Sequence, residues 1–96
     1  MEIQNNKKLS RFEAALPGGE YARLEYRWLK GSMVLMHTFV PEAFRNTGTG
    51  ARLVKYVLDY AREQGLKIIV YCPFVQKYME LHPEYNDLID EGYRQH

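Results

Sequence analysis

Residues 45–50 read RNTGTG and stand directly before a long amphipathic segment. Glycines let a ligand come close to the backbone, and the first amides of a helix have no partner within that helix. The helix dipole adds partial positive charge at the same point, and Arg45 adds a full charge. This combination favours binding of an anion, most simply a phosphate. The alternative is that the glycines only shape a tight turn, with Thr47 or Thr49 as the N-cap residue.

The two best-known phosphate motifs do not fit this stretch. A Walker A loop requires GxxxxGK followed by Ser or Thr, and the chain contains no such run. A dinucleotide-binding fingerprint requires GxGxxG, and Leu53 stands where the third glycine belongs. A phosphate at this loop would therefore belong to another kind of nucleotide or cofactor site.

Two side chains elsewhere could take part in acyl or proton transfer. Cys72 follows an apolar run and precedes a predicted helix, whose positive end favours a reactive thiolate. The alternative for Cys72 is a small buried residue that only packs. His37 is predicted on the same strand face as Leu35 and Phe39, where a neutral imidazole can act as a base near pH 7. The alternative for His37 is a hydrogen-bonded core histidine.

The elements that must position these residues fall into two halves. The first 40 residues alternate in polarity and predict four strands. The first strand begins at Ile3, and the other three cover residues 9–16, 20–29 and 33–40. The last of these strands is apolar on both faces, which is typical of a strand covered from both sides.

The second half changes to helical periodicity. Apolar residues recur at helical spacing before Gly65, namely Leu53, Val54, Val57, Leu58 and Ala61. A buried parallel strand is predicted at residues 67–71, and a last helix at residues 74–81. The order β-β-β-β-α-β-α predicts an α/β fold with a mixed sheet. Its first strands are antiparallel, and a right-handed β-α-β crossover follows.

Composition bounds the protein further. The chain has 96 residues, enough for one small domain predicted to span residues 1–96, and its net charge of +1 argues against general nucleic-acid binding. No apolar run reaches the roughly 18 residues of a membrane-spanning helix, so no membrane partner is predicted. The N-terminus lacks a signal-peptide core, and Cys72 has no second cysteine to pair with, which suggests the reducing cytoplasm. The open edges of a small sheet are compatible with a monomer or a weak homodimer.

The R-x-x-G-x-G pattern at the start of the helix resembles the acyl-CoA pyrophosphate loop of the GCN5-related N-acetyltransferases. More specifically, the second half of the chain resembles the small, single-domain YjdJ-type branch of that superfamily. The matching segments span about half of the chain and are His37-Thr38, Val40-Pro41, Arg45, Gly48, Gly50, Cys72-Pro73-Phe74 and His82-Pro83-Glu84-Tyr85. One departure is Phe39, which stands where that branch commonly has an acidic residue.

The resemblance implies a compact fold of that superfamily, acetyl-CoA as the cofactor, and acetyl transfer to a primary amine. It implies that the strands on either side of the helix splay apart around pantetheine. The implied cofactor-binding residues are Phe39, Val40 and Pro41 beside pantetheine, Arg45, Asn46, Thr47, Gly48, Thr49 and Gly50 around the pyrophosphate, and Cys72 and Phe74 near the thioester. The candidate catalytic residues are Cys72 and His37, and the resemblance adds support for Cys72 and suggests Tyr78 by its place in the final helix. No metal site is implied.

Two further hypotheses stay open from the sequence. The chain could bind CoA without efficient transfer, because 96 residues leave little room for an acceptor site. It could also be a protein-interaction domain in which the loop only starts a helix. The acceptor itself, whether a small amine, a polyamine or a peptide N-terminus, is not specified by the residues.

Overall fold

The structure, a computed structural model, describes residues 1–93. Five strands form one sheet in the order β1-β2-β3-β4-β5, and two helices follow β4 and β5. The element bounds are β1 Ile3–Asn6, β2 Arg11–Ala15, β3 Tyr21–Leu29, β4 Ser32–Phe39, α1 Thr49–Glu63, β5 Ile68–Val70 and α2 Pro73–Leu81. The first four strands pair antiparallel, and β4 pairs parallel with β5. The predicted order and the predicted mixed sheet are confirmed. That residues 1–96 make one domain stays a prediction.

One face of the sheet, here called the inner face, carries the core. It is apolar because alternate residues of each strand point to the same side. Both helices turn an apolar face towards it, and the buried side chains of the sheet's inner face and of the helices form one cluster. Members of the cluster include Phe12, Leu24, Tyr26 and Leu35 from the sheet, Leu53, Val57 and Leu58 from α1, and Val75 and Met79 from α2. The burial of α1 explains its strict helical periodicity.

The opposite face, here called the outer face, carries charged pairs. Arg11 and Glu13 form a salt bridge of 2.7 Å, and Arg23 and Glu25 form one of 2.9 Å. The Arg23 guanidinium also lies 4.6 Å from the centre of the Phe39 ring, its cross-strand partner. These groups are partly exposed, so the outer face is a solvated surface near β2, β3 and the end of β4.

A β-bulge at Met36 changes which side chains of β4 face the core. Tyr26 pairs with Leu35, but Glu25 pairs with His37, so Met36 is an extra residue on β4. Directly opposed residues of antiparallel strands share a face, which places His37 on the outer face with Glu25. The prediction that His37 shares a face with Leu35 is therefore wrong, although it does share a face with Phe39.

The bulge also ends the two-sided cover predicted for β4. Residues 32–35 are buried, whereas Met36 and His37 are exposed. Beyond the bulge, Thr38 pairs with the core residue Leu24 and faces inward. The bulge thus changes the direction of the side chains at the point where the predicted site residues of β4 begin.

The chain after α2 covers the free edge of β5. It forms 3₁₀ turns at Pro83–Leu88 and Glu91–Tyr93. The amide of Asp90 donates to the carbonyl of Ile68 at 2.7 Å, and the Ser32 hydroxyl donates to the Asp90 carboxylate at 2.7 Å. Across residues 1–93, no helix is both long and apolar enough to cross a membrane.

Candidate functional site

The parallel strands β4 and β5 separate shortly after they pair. Their pairing ends at Leu35 and Val70. The Leu35 carbonyl accepts hydrogen bonds from the amides of both Tyr71 and Cys72, at 3.0 and 3.1 Å. Beyond this point β4 continues to Phe39, while the segment that follows β5 turns into α2. A cleft of about 490 Å³ opens beside the end of β4 and continues to the start of α1.

Most of the predicted cofactor-binding residues line this cleft, namely Phe39, Val40, Arg45, Asn46, Gly48, Gly50 and Phe74. The lining also contains the predicted catalytic residue His37 and three residues that were not predicted, Thr38, Phe44 and Ala51. Five predicted residues lie outside the lining, namely Pro41, Thr47, Thr49, Cys72 and Tyr78. The lining combines an apolar wall with a glycine-rich end.

The glycine-rich end presents the open N-terminus of α1. Gly48 is the N-cap residue, in the left-handed conformation with φ 83°, and no side chain caps the helix. The first helical bond runs from the Arg52 amide to the Gly48 carbonyl at 3.0 Å, which leaves the amides of the three intervening residues without a helical acceptor. The expectation that Thr47 or Thr49 caps the helix is wrong: their hydroxyls bond each other at 2.8 Å.

Arg45 lies at the same end and is partly committed to the loop. Its Nε–H donates to the Val40 carbonyl at 3.0 Å. The two terminal nitrogens of the guanidinium have no hydrogen-bond acceptor within residues 1–93, and the side chain is exposed. Arg45 can therefore add positive charge beside the open amides without being displaced from Val40.

Phe74 lines the cleft beside the start of α1. A β-carbon on Gly50 would come within 2.7 Å of the Phe74 Cζ atom. A side chain at position 50 would therefore have to displace the Phe74 ring, because α1 and the first turn of α2 approach closely here. The backbone angles of Gly50 do not require glycine.

Cys72 and His37 lie on opposite faces of β4. Cys72 is 2% exposed, and its Sγ lies 3.3 Å from the Thr38 Oγ1 on the inner face. His37 is exposed on the outer face, opposite Glu25. The hydrogen bond from Arg23 lowers the pKa of Glu25, so this carboxylate stays charged beside His37. His37 thus lines the cleft and Cys72 contacts the cleft residue Thr38, but the two candidate catalytic groups do not contact each other.

Tyr78 lies apart from the cleft. Its ring stacks on His82 with 4.1 Å between ring centres. Burial raises the pKa of Tyr78, and the charged groups that act on it belong to Lys55, Asp59 and Glu84. The structure thus places Tyr78 against α1 and the C-terminal turns and does not bring it together with His37 or the loop.

The three unpredicted lining residues have separate explanations. Thr38 faces the Cys72 side only because of the bulge, which no alternation pattern reveals. Phe44 is an aromatic residue in a polar turn, and that mismatch was a usable signal for a binding surface. Ala51 is a small residue in the first turn of α1, and no local pattern marks it as part of a cleft.

A second cleft of about 630 Å³ lies between β5, α2 and the C-terminal turns. Among residues 1–93, its lining includes Tyr71, Gln76 and Glu80 but no Lys or Arg. A phosphate site needs cationic or open amide donors, and the first cleft combines Arg45 with the helix N-terminus of α1. Within residues 1–93, no group of three or more His, Cys, Asp or Glu could hold a metal ion.

The fold is a five-stranded mixed sheet in which β4 and β5 separate beside a helix with a glycine-rich start. This arrangement is the one expected of an acetyltransferase of the superfamily that the loop resembles. A profile of the GCN5-related N-acetyl-transferases matches residues 11–88, and the chain belongs to this family. It is similar to Protein NATD1 of Xenopus tropicalis, with 33% identity over 85 residues that cover 86% of this chain and 78% of the relative. Protein NATD1 of Homo sapiens is 32% identical and is covered to 75%.

A solved structure agrees with the same assignment. The solution NMR structure of a GCN5-like protein from Staphylococcus aureus superposes with a TM-score of 0.69 at 26% identity. The match covers 99% of this chain and 96% of the other. The resemblance inferred from the loop and the Cys-Pro-Phe segment is thereby confirmed at the level of the superfamily and its fold.

Proposed function

We propose that the protein transfers an acetyl group from acetyl-CoA to a primary amine. The observation that carries the proposal is the cleft that opens where β4 and β5 part and that reaches the uncapped N-terminus of α1. The family supports N-acetyltransferase chemistry, and the cleft supplies the parts that such chemistry needs.

The residues of the cleft fit two chemical parts of coenzyme A, the pyrophosphate and the pantetheine arm. The open amides of Thr49, Gly50 and Ala51 and the charge of Arg45 suit a pyrophosphate. The apolar wall suits a pantetheine arm, and its members are Phe39, Val40, Phe44 and Phe74. Pro41, Asn46, Thr47 and Gly48 shape the loop between these two parts. Gly50 keeps the route to the amides clear.

Acetyl-CoA, when bound, supplies an acetyl thioester whose carbonyl carbon the amine attacks as the carbon–sulfur bond breaks. We assign to His37 the proton that the amine loses, because His37 lines the cleft and is exposed beside the charged Glu25. Cys72, which contacts the cleft residue Thr38, would give its proton to the departing sulfur, and both groups would then exchange protons with water. Its 2% exposure favours proton transfer over a covalent acetyl-cysteine. Tyr78 has a packing role in this arrangement.

A CoA-binding protein with little turnover is the second candidate. The separation of His37 and Cys72 on opposite faces of β4 favours it, because efficient transfer needs both groups at one reacting centre. A chain of 96 residues also leaves little room for an acceptor site. A protein-interaction domain is the third candidate and predicts no affinity for CoA.

Release of free CoA from acetyl-CoA tests the proposal across small amines, polyamines and peptide N-termini. We expect the parent to exceed the reaction without protein for one acceptor class, and Cys72→Ala and His37→Gln to lower kcat by about 10²-fold or more. His82→Gln is the matched histidine control and should retain the parent rate. Tyr78→Phe should also retain it if the tyrosine only packs. Release at the background rate with every acceptor would leave the CoA-binding alternative.

A further inference from the structure

The side chains of Thr38 and Cys72 meet beside the cleft. The distance between Thr38 Oγ1 and Cys72 Sγ is 3.3 Å. Neither side chain has another hydrogen-bond partner within residues 1–93. Cys72 is buried, and Thr38 is half-buried and lines the cleft. Within residues 1–93, the hydrogen-bond partner of the sulfur is therefore a single hydroxyl.

The β-bulge creates this pair. In a strand that alternates regularly from Leu35, Thr38 would point to the outer face. The extra residue Met36 reverses this, so Thr38 faces inward opposite Leu24. The Leu35 carbonyl holds the Cys72 amide at 3.1 Å, three residues before Thr38. β4 thus fixes Cys72 through its backbone and through its side chain.

We propose that Thr38 is a positioning residue whose hydroxyl donates a hydrogen bond to the Cys72 sulfur. The bond orients the Cys72 thiol for its proton transfer to the departing sulfur during acetyl transfer. This role rests on the proposed function. A hydroxyl is a better donor than a thiol, and a thiolate can only accept. The bond therefore strengthens when Cys72 has given its proton to the departing sulfur. Thr38 keeps its own proton throughout, and the thiolate regains one from water.

The single cysteine makes the bond measurable without turnover. The chain has one S–H group, so the S–H stretching band in a Raman spectrum reports Cys72 alone. The band shifts when the sulfur gains or loses a hydrogen bond. Thr38→Val removes the hydroxyl at nearly constant volume, and Thr38→Ser keeps the hydroxyl. Cys72→Ala removes the band and confirms its assignment.

We expect the S–H band to move in Thr38→Val and to keep the parent position in Thr38→Ser. With an accepted amine, Thr38→Val should lower kcat about tenfold and change KM for acetyl-CoA less than twofold, and Thr38→Ser should restore kcat. Thermal unfolding shows that each variant is folded before it is compared.

An S–H band that is the same in Thr38→Val and the parent would overturn the proposal, whether or not the protein turns over. A kcat unchanged in Thr38→Val, or lowered equally in Thr38→Ser, would overturn the positioning role. Absence of CoA binding by the parent in calorimetry would instead overturn the proposed function. The Raman band separates these two failures, because it needs no ligand.

Discussion

The ring of Phe74 lies against Gly50 so closely that a β-carbon at position 50 would stand 2.7 Å from Cζ. The contact joins the first turn of α1 to the first turn of α2 across one wall of the cleft. Phe74 is 45% exposed, so its ring can move aside, but it then changes the shape of the cleft.

Gly50→Ala should reveal this contact through its dependence on Phe74. In the parent we expect a loss of about 0.5–1 kcal/mol in unfolding free energy, because displacement of the ring outweighs the gain in helix propensity. In a Phe74→Ala background the same change should stabilise α1 by a few tenths to about 1 kcal/mol. Urea unfolding of the four proteins measures the coupling. Additive effects within about 0.3 kcal/mol would show that the two residues do not touch.

Deletion of Met36 should weaken CoA binding without abolishing the fold. The pairs on either side of the bulge keep their partners when the extra residue is removed, so the core register survives. The bulge bends and twists β4, and its loss should bring β4 towards β5 and narrow the cleft. We expect CoA affinity to fall about tenfold or more by calorimetry. Deletion of Lys8, in an exposed turn, is the control and should leave affinity unchanged; equal effects of both deletions would refute this role of the bulge.

Acid should weaken the attachment of the C-terminal turns to α1. Asp87 receives two hydrogen bonds from the Arg62 guanidinium, at 2.9 and 3.0 Å, and these lower the pKa of Asp87 below 3.8. A carboxylate with a lowered folded-state pKa contributes stability above its unfolded pKa and loses it as pH falls through the folded value. Asp87→Asn should therefore flatten the fall in Tm below about pH 4. Glu91→Gln, which removes no salt bridge of the described residues, should keep the steep fall.

Much of the fold was predictable because it depends on local patterns. The strand turns, the periodicity of α1 and the glycine at 65 all act over a few residues, and the structure matches them. The bulge was not predictable, since residues 33–40 read as an uninterrupted apolar strand. It arises from pairing with β3, a contact that no local pattern contains.

The candidate site divides in the same way. The loop residues were found because glycine spacing before a helix has a direct physical meaning. The N-cap was missed because Thr47 and Thr49 bond each other, and this leaves the helix end open. Thr38 was missed because its direction depends on the bulge. Local chemistry thus located the cleft, whereas the orientation of the groups inside it required the tertiary pairing.

The open N-terminus of α1 can be tested by a change of charge at Ala51. Ala51 is the third residue of α1 and lines the cleft. A glutamate there is favoured by the helix dipole, so Ala51→Glu should not lower stability, but it places a negative charge where the pyrophosphate is expected. Ala51→Gln has nearly the same size without the charge and is the matched control.

Calorimetric titration of CoA into the parent, Ala51→Gln and Ala51→Glu tests the central claim most directly. We expect micromolar binding by the parent, binding within about tenfold of it by Ala51→Gln, and at least a further tenfold loss in Ala51→Glu, a charge effect that added salt should reduce. Absence of heat and of a thermal shift in the parent would contradict the CoA site. Equal affinities of the glutamate and glutamine variants would contradict the placement of the phosphates at α1.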